Sequence, residues 1–169
     1  MKILIFTEGT ILMHKTAAGL THDEIIKQVQ NPAPDIYDFA SYIPIGNSVL
    51  KLNHWADAGA EIIYVTSRKK PAEVTAIQQV LSTYRFPPGP LLFRQVKQTY
   101  KDIAEAVLPD VLVEDDCESI GGTAQMTITN VEPTIKRRIK SVVVREFGGI
   151  DSLPDNITNL CMTVDNDTG

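Results

Sequence analysis

The 169-residue chain has only two cysteines, Cys117 and Cys161, far apart and outside any CxxC or Cys/His spacing. That excludes a disulfide framework and a thiolate zinc site, and two free thiols fit a reducing, cytoplasmic setting. A basic excess is also missing: 16 Lys and Arg face 21 Asp and Glu, for a net charge of −5. Phosphate backbones and anionic bilayers are held by clustered cations, so neither nucleic acid nor a membrane surface is an expected partner. The one basic cluster, Lys136, Arg137, Arg138 and Lys140, reads as the solvated face of a helix. No window approaches the ~18 apolar residues of a membrane span, and no charged segment precedes an apolar leader. The sequons at Asn156 and Asn166 therefore carry little meaning. His14, His22 and His54 share no metal-binding spacing, and there is no internal repeat or low-complexity tract.

What the chain does have is 43% apolar residues, enough for one core. Many fall in short unbroken runs, Ile3 to Phe6, Ile62 to Val65, Leu91 to Phe93 and Val111 to Val113, and a fifth strand is expected over Ser141 to Phe147, around Val142 to Val144. Helical periodicities separate them, with Val49, Leu52, Trp55 and Ala56 in one helix and Val74, Ile77, Leu81 and Tyr84 in the next. Pro71 suits a first helical turn, and Thr99 caps a further helix carrying Ile103, Ala106 and Val107. Strands without apolar/polar alternation, joined by helices, predict an α/β, Rossmann-like, mostly parallel sheet covered on both faces. The expected organisation is one domain over residues 1–154, with a small cap-like insertion at 15–45 and a tail at 155–169. Within the insertion Thr21 and Glu24 form a capping box, and a second helical piece covers Ile36 to Tyr42. Further predictions are a brief strand at Met126 to Thr129 and a helix from Pro133 through Lys140. Asn47 or Ser48 is expected to cap the helix carrying Trp55.

The strand ends are where chemistry collects. The first runs into Thr7-Glu8-Gly9-Thr10, the second into Thr66-Ser67-Arg68, and the fourth into Glu114-Asp115-Asp116. In open α/β sheets ligands bind beyond the carboxyl ends of the strands. Carboxylates there suit a divalent cation, while hydroxyls and loop N–H groups suit phosphate oxygens. Three adjacent acids repel one another unless solvent, a cation or basic groups relieve them.

These motifs, in this order over residues 2–150, resemble the haloacid dehalogenase-like phosphohydrolases. The family's Asp-x-Asp-Gly-Thr lines up with Phe6-Thr7-Glu8-Gly9-Thr10, its strand ending in Thr or Ser with Ile62 to Thr66, its lysine with Lys101 or, second, Lys97, and its paired acids with Glu114 to Asp116. The resemblance implies Mg²⁺ held by Glu8, Asp115 and Asp116, with Glu114 as an alternative helper, phosphate held by Thr66, Ser67 and Lys101, and Glu8 as general acid/base. It also implies a small phosphorylated molecule as ligand. The family's nucleophilic aspartate, however, is Phe6 here, and a phenyl ring can neither attack phosphorus nor bind a cation. The chain therefore reads as a degenerate or atypical phosphohydrolase. One alternative is direct attack by water with Glu8 as base. Another is a Toprim-like nuclease or primase domain, which would leave Thr66 and Lys101 unexplained, and a third is a non-catalytic binding protein.

Overall fold

In the computed structural model, which describes residues 1–162, strand β1 (Lys2–Phe6) is the centre of a five-stranded parallel sheet. It lies between β4 (Glu61–Thr66) and β6 (Val111–Asp115), with β5 (Leu91–Phe93) outside β4 and β7 (Lys140–Val144) outside β6. The chain moves outward from β1 through α2 (Ser48–Asp57) and α3 (Pro71–Thr83). It then crosses back through α4 (Tyr100–Val107) to β6. The direction of winding thus reverses between β1 and β6, where the strand ends leave a crevice.

Unbroken apolar runs are what a doubly covered strand needs. On one face Ile3, Ile5, Val111 and Val113 pack with Leu52 and Trp55 of α2 and Ile77 of α3. On the other, Leu4 and Leu112 pack with Ile103 and Ala104 of α4 and Ile128 of α5 (Thr127–Asn130). The predicted α/β, mostly parallel architecture is what forms.

The segment between β1 and α2 contains an antiparallel hairpin, β2 (Leu12–His14) with β3 (Tyr42–Pro44), and α1 (His22–Gln30) between them. Thr21 and Glu24 close the expected capping box on α1. His22 Nε2 lies 2.9 Å from Glu118 Oε2, tying α1 to the turn after β6. The helical piece expected over 36–42 is instead two 3₁₀ turns, Pro34–Tyr37 and Phe39–Ser41, because Tyr42 and Ile43 are paired with His14 and Met13 in the hairpin.

Four other expectations are revised. Met126 to Thr129 is not a strand: the Glu114 carboxylate accepts the N–H groups of Thr127 (2.7 Å) and Ile128 (2.9 Å) and so starts the single turn α5. The helix from Pro133 stops as α6 (Pro133–Lys136), since Lys140 already donates to Asp110 in the sheet, which spreads the basic cluster over a helix, a turn and a strand. Asn47 does stand at the N-cap position of α2, but its side chain makes no capping bond; its amide and backbone N–H both bind Asp151. The segment expected to hang as a tail begins with α7 (Ile157–Leu160), whose Ile157 and Leu160 are buried in the first core cluster. Residues 163–169 of that expected tail lie outside the described residues. Among the described residues no helix is long and apolar enough to cross a membrane.

Candidate functional site

Because every strand of the sheet is parallel, the ends of β1, β4, β6 and β7 share one edge. After Phe6 the chain folds back tightly: the Thr7 carbonyl accepts the N–H groups of Ile11 and Leu12, both at 2.9 Å. Gly9 has φ +83°, and a Cβ there would stand 2.8 Å from Asp115 Oδ2. The next residue, Thr10, donates to that same oxygen at 3.0 Å. A side chain at Gly9 would thus meet both backbone strain and a buried carboxylate. Gly9→Ala is expected to cost about 1–3 kcal/mol in urea unfolding, and a loss below about 0.5 kcal/mol would count against this packing.

Glu8 gathers the groups of β4. Its Oε1 accepts the Thr66 hydroxyl at 2.6 Å, and its Oε2 lies 2.6 Å from the Thr7 hydroxyl and accepts the Ser67 N–H at 3.1 Å. Arg68 Nε lies 3.5 Å from Oε1, and its guanidinium stacks 4.5 Å over Phe39 while donating to the Ser67 hydroxyl. Glu8, Thr66 and Ser67 therefore come together, with the carboxylate of Glu8 occupying the donors expected to take phosphate.

Asp115 and Asp116 meet a third acid that the sequence reading missed. Ligand atoms of Asp115, Asp116 and Glu146 all lie within 4.8 Å of one another. Asp115 Oδ1 accepts the Cys117 N–H, Asp116 Oδ1 accepts the Glu146 N–H, and both Glu146 oxygens bind Ser119. Burial pushes the Asp115 carboxyl above the ordinary range, and the Asp116 charge adds to it. Burial does the same to Glu146, with Asp115 and Asp116 adding. An all-oxygen set of crowded, partly desolvated carboxylates is the chemistry of a hard divalent cation. The nearby Cys117 thiol is pushed up to about 12 by burial and by these acids, so it stays protonated.

Four expected participants do not take the places foreseen for them. Glu114 alternates to the opposite face of β6, with Leu112, where it starts α5, so it does not help hold a cation. Glu8 is not in the three-acid group, although it lines the same cavity. Lys101 pairs with Glu105 one turn along α4 at 3.7 Å and does not line the cavity; Lys97 is exposed, and the cation that does line it is Arg68. The sequence signal for Glu146 was available: it follows the last strand's apolar run just as Asp115 ends β6. Extending that strand to Phe147 concealed it, because β7 ends at Val144.

Over this edge lies a cavity of about 370 Å³. Phe6 lines it, edge-on to Tyr100 with ring centroids 5.0 Å apart, and Arg94 stacks 4.1 Å over the Tyr100 ring. Much of the remaining wall, including Ile25, Val29 and Ile36, comes from the segment between β1 and α2.

No protein-family model and no curated protein matches the sequence. Among solved structures the chain is similar to a class C acid phosphatase from Bacillus anthracis with tungstate bound, at 14% identity and TM-score 0.54, over 88% of this chain and 68% of that one. It is also similar to chains in two structures of the Pnkp1/Rnl/Hen1 complex, described in one as an RNA repair complex, at 12% and 13% identity with TM-scores of 0.52 and 0.50. Those matches cover 86% and 85% of this chain but only 47% and 43% of theirs, so this chain spans less than half of either. At such identities the likeness is one of fold alone, and that fold is the Rossmann-like, mostly parallel α/β sheet that the strand and helix pattern predicts.

Proposed function

We propose that the chain is a degenerate phosphohydrolase that binds a small phosphorylated molecule together with Mg²⁺ and hydrolyses phosphomonoesters weakly. The observation that carries this reading is Phe6: it lines the cavity together with Glu8 and Asp115, at the sequence position where the resemblance places an attacking carboxylate. An aromatic ring offers no lone pair to phosphorus. Asp115, Asp116 and Glu146 are the residues to hold the cation, which would neutralise phosphate charge when bound. The close approach of Gly9 and the donation from Thr10 fix Asp115 in place for that role. Phosphate would be received by the Thr66 hydroxyl, the Ser67 N–H and Arg68 in place of Lys101. Glu8 holds these donors in the structure, so an incoming phosphate competes with an internal carboxylate and Glu8 must turn away.

Direct attack by water with Glu8 as base is less well supported. Both of its oxygens are already engaged by Thr7, Thr66 and Ser67, and a water would have to displace one of them.

Cation binding is tested without catalysis. Asp115 and Glu146 have raised folded-state values, so between the ordinary carboxylate value near ~4 and those raised values the folded chain binds more protons than the unfolded one. Their contribution to stability is therefore greatest at low pH and falls as pH rises through the raised values. Mg²⁺ binds the deprotonated acids and reverses that loss. Stabilisation by Mg²⁺ should reach about 1–3 kcal/mol at roughly ten- to a hundredfold excess over Kd near pH 7.5 and shrink toward pH 4.5. Thermal melts with and without MgCl₂ at both pH values check this. Equal shifts at both, or a shift untouched by Asp115→Asn, would remove the cation from the reading. The exposed acids with lowered values, Glu24, Asp102, Glu132 and Asp155, act in the opposite sense but do not depend on Mg²⁺.

A further inference from the structure

The cavity wall supplied by the hairpin holds a polar group that the fold itself does not use. His14, the last residue of β2, is only 4% exposed and lines the cavity. Its Nδ1 accepts the Thr16 N–H at 3.3 Å and lies 2.8 Å from the Thr16 hydroxyl. That hydroxyl oxygen receives Gln28 Nε2 at 2.8 Å, which leaves its proton for Nδ1. A ring nitrogen that accepts two donors carries no proton, so the network assigns the proton of the neutral imidazole to Nε2. Nε2 has no hydrogen-bond partner among the described residues. Pairing with Tyr42 across the hairpin and an edge contact between the two rings, centroids 5.6 Å apart, hold the imidazole in place. A buried donor without an acceptor destabilises a fold, and it persists where a ligand supplies the acceptor.

We propose that the His14 Nε2–H is the specificity donor for the organic part of the ligand. The ligand class is a monophosphate ester of a flat, largely apolar group that carries a hydrogen-bond acceptor such as a carbonyl. Flatness and low polarity follow from the Phe6, Phe39 and Tyr100 rings and from Ile25, Val29 and Ile36 around the same cavity. The acceptor follows from His14. The proposal rests on the phosphate reading above for one end of the ligand and on His14 alone for the other. His14 acts here on binding and positioning, not on the reacting atoms.

The test is calorimetric titration at pH 7.5 with MgCl₂, using inorganic phosphate, phenyl phosphate, the 2-, 3- and 4-acetylphenyl phosphates, and acetophenone. At least one acetylphenyl isomer should bind the wild-type chain roughly tenfold or more tightly than phenyl phosphate. His14→Phe should erase that advantage and leave phosphate and phenyl phosphate unchanged, while His14→Gln, which keeps a donor, should restore part of it. In the unsubstituted protein the His14 Nε2–H resonance should move on adding the preferred isomer and stay put with phenyl phosphate, a readout independent of how the variants fold. If no isomer exceeds phenyl phosphate, or the advantage survives His14→Phe, the proposal is overturned and the N–H serves only bound water. If inorganic phosphate fails to bind but acetophenone binds in a His14-dependent way, the donor role stands and the phosphate reading falls.

Discussion

Phe6→Asp should raise Mg²⁺-dependent hydrolysis of p-nitrophenyl phosphate at least ~10²-fold over the unsubstituted chain. The scale comes from the reverse experiment: deleting a hydrolase nucleophile costs about 10⁴ to 10⁶ in rate, and restoring one to a pocket that has drifted should recover a part. The remaining requirements are near at hand. Phe6 lines the cavity with Glu8 and Asp115, Arg68 is the cation facing it, and the three acids stand at the neighbouring strand ends. The substitution also has a structural cost, because the half-buried Phe6 ring gives up its edge contact with Tyr100, and this must be separated from the chemical gain. Phe6→Asn makes the separation: it has the same size and loses the same contact, yet has no anionic oxygen to attack phosphorus. The expected order is Asp well above Asn, with Asn no better than Phe. If both variants fold, bind Mg²⁺ and hydrolyse equally poorly, more than the nucleophile has been lost. If the unsubstituted chain already turns over briskly and Asp115→Ala abolishes it, the degenerate reading is wrong and water attack takes its place.

The sequence disclosed the frame of this site more fully than its wiring, for a physical reason. Where a strand lies is written in a contiguous apolar run, so Ile3 to Phe6, Ile62 to Val65 and Val111 to Val113 could be placed directly, and parallel pairing then brought their ends to one edge. Which way each strand-end side chain turns depends on a period of two residues and on partners far away in sequence. Asp115 and Glu114 are adjacent, yet one faces Gly9 and Thr10 while the other starts α5. Lys101 shows the same limit on a helix: its neighbour Tyr100 turns toward Phe6, and Lys101, about 100° further round, pairs with Glu105. Short elements were the hardest to foresee. A four-residue helix such as α5 has little propensity of its own and exists because a distant carboxylate accepts its first N–H groups. The tautomer of His14 was equally hidden, since it depends on Gln28 reaching Thr16 from α1.

Leu160→Ala tests the part of the fold that the sequence pattern described least well. A chain end with one weak apolar patch and a polar tip reads as a tail, in which this substitution would change stability by less than about 0.5 kcal/mol. In the structure Leu160 is fully buried, in the same cluster as Leu52 and Trp55. The approach to it is pinned: Trp55 Nε1 donates to the Pro154 carbonyl at 3.0 Å, Lys51 Nζ pairs with Asp155 at 2.8 Å, and Asn156 accepts the Thr158 N–H at 2.9 Å to cap α7. One helical turn cannot hold itself together, so burial of Ile157 and Leu160 is what keeps α7 on the sheet. Leu160→Ala should therefore cost about 2–5 kcal/mol, the range for truncating a buried leucine, out of the roughly 5–15 kcal/mol that stabilises a typical domain. Met162→Ala, at a residue 73% exposed, is the matched control and should fall within about 0.5 kcal/mol of the unsubstituted chain. Urea unfolding of both variants, with unchanged dependence on denaturant, decides the matter. Two small and equal shifts would return this segment to a tail, whereas a large loss confined to Leu160 makes it part of the core that supports α2 and, through it, the sheet edge bearing the site.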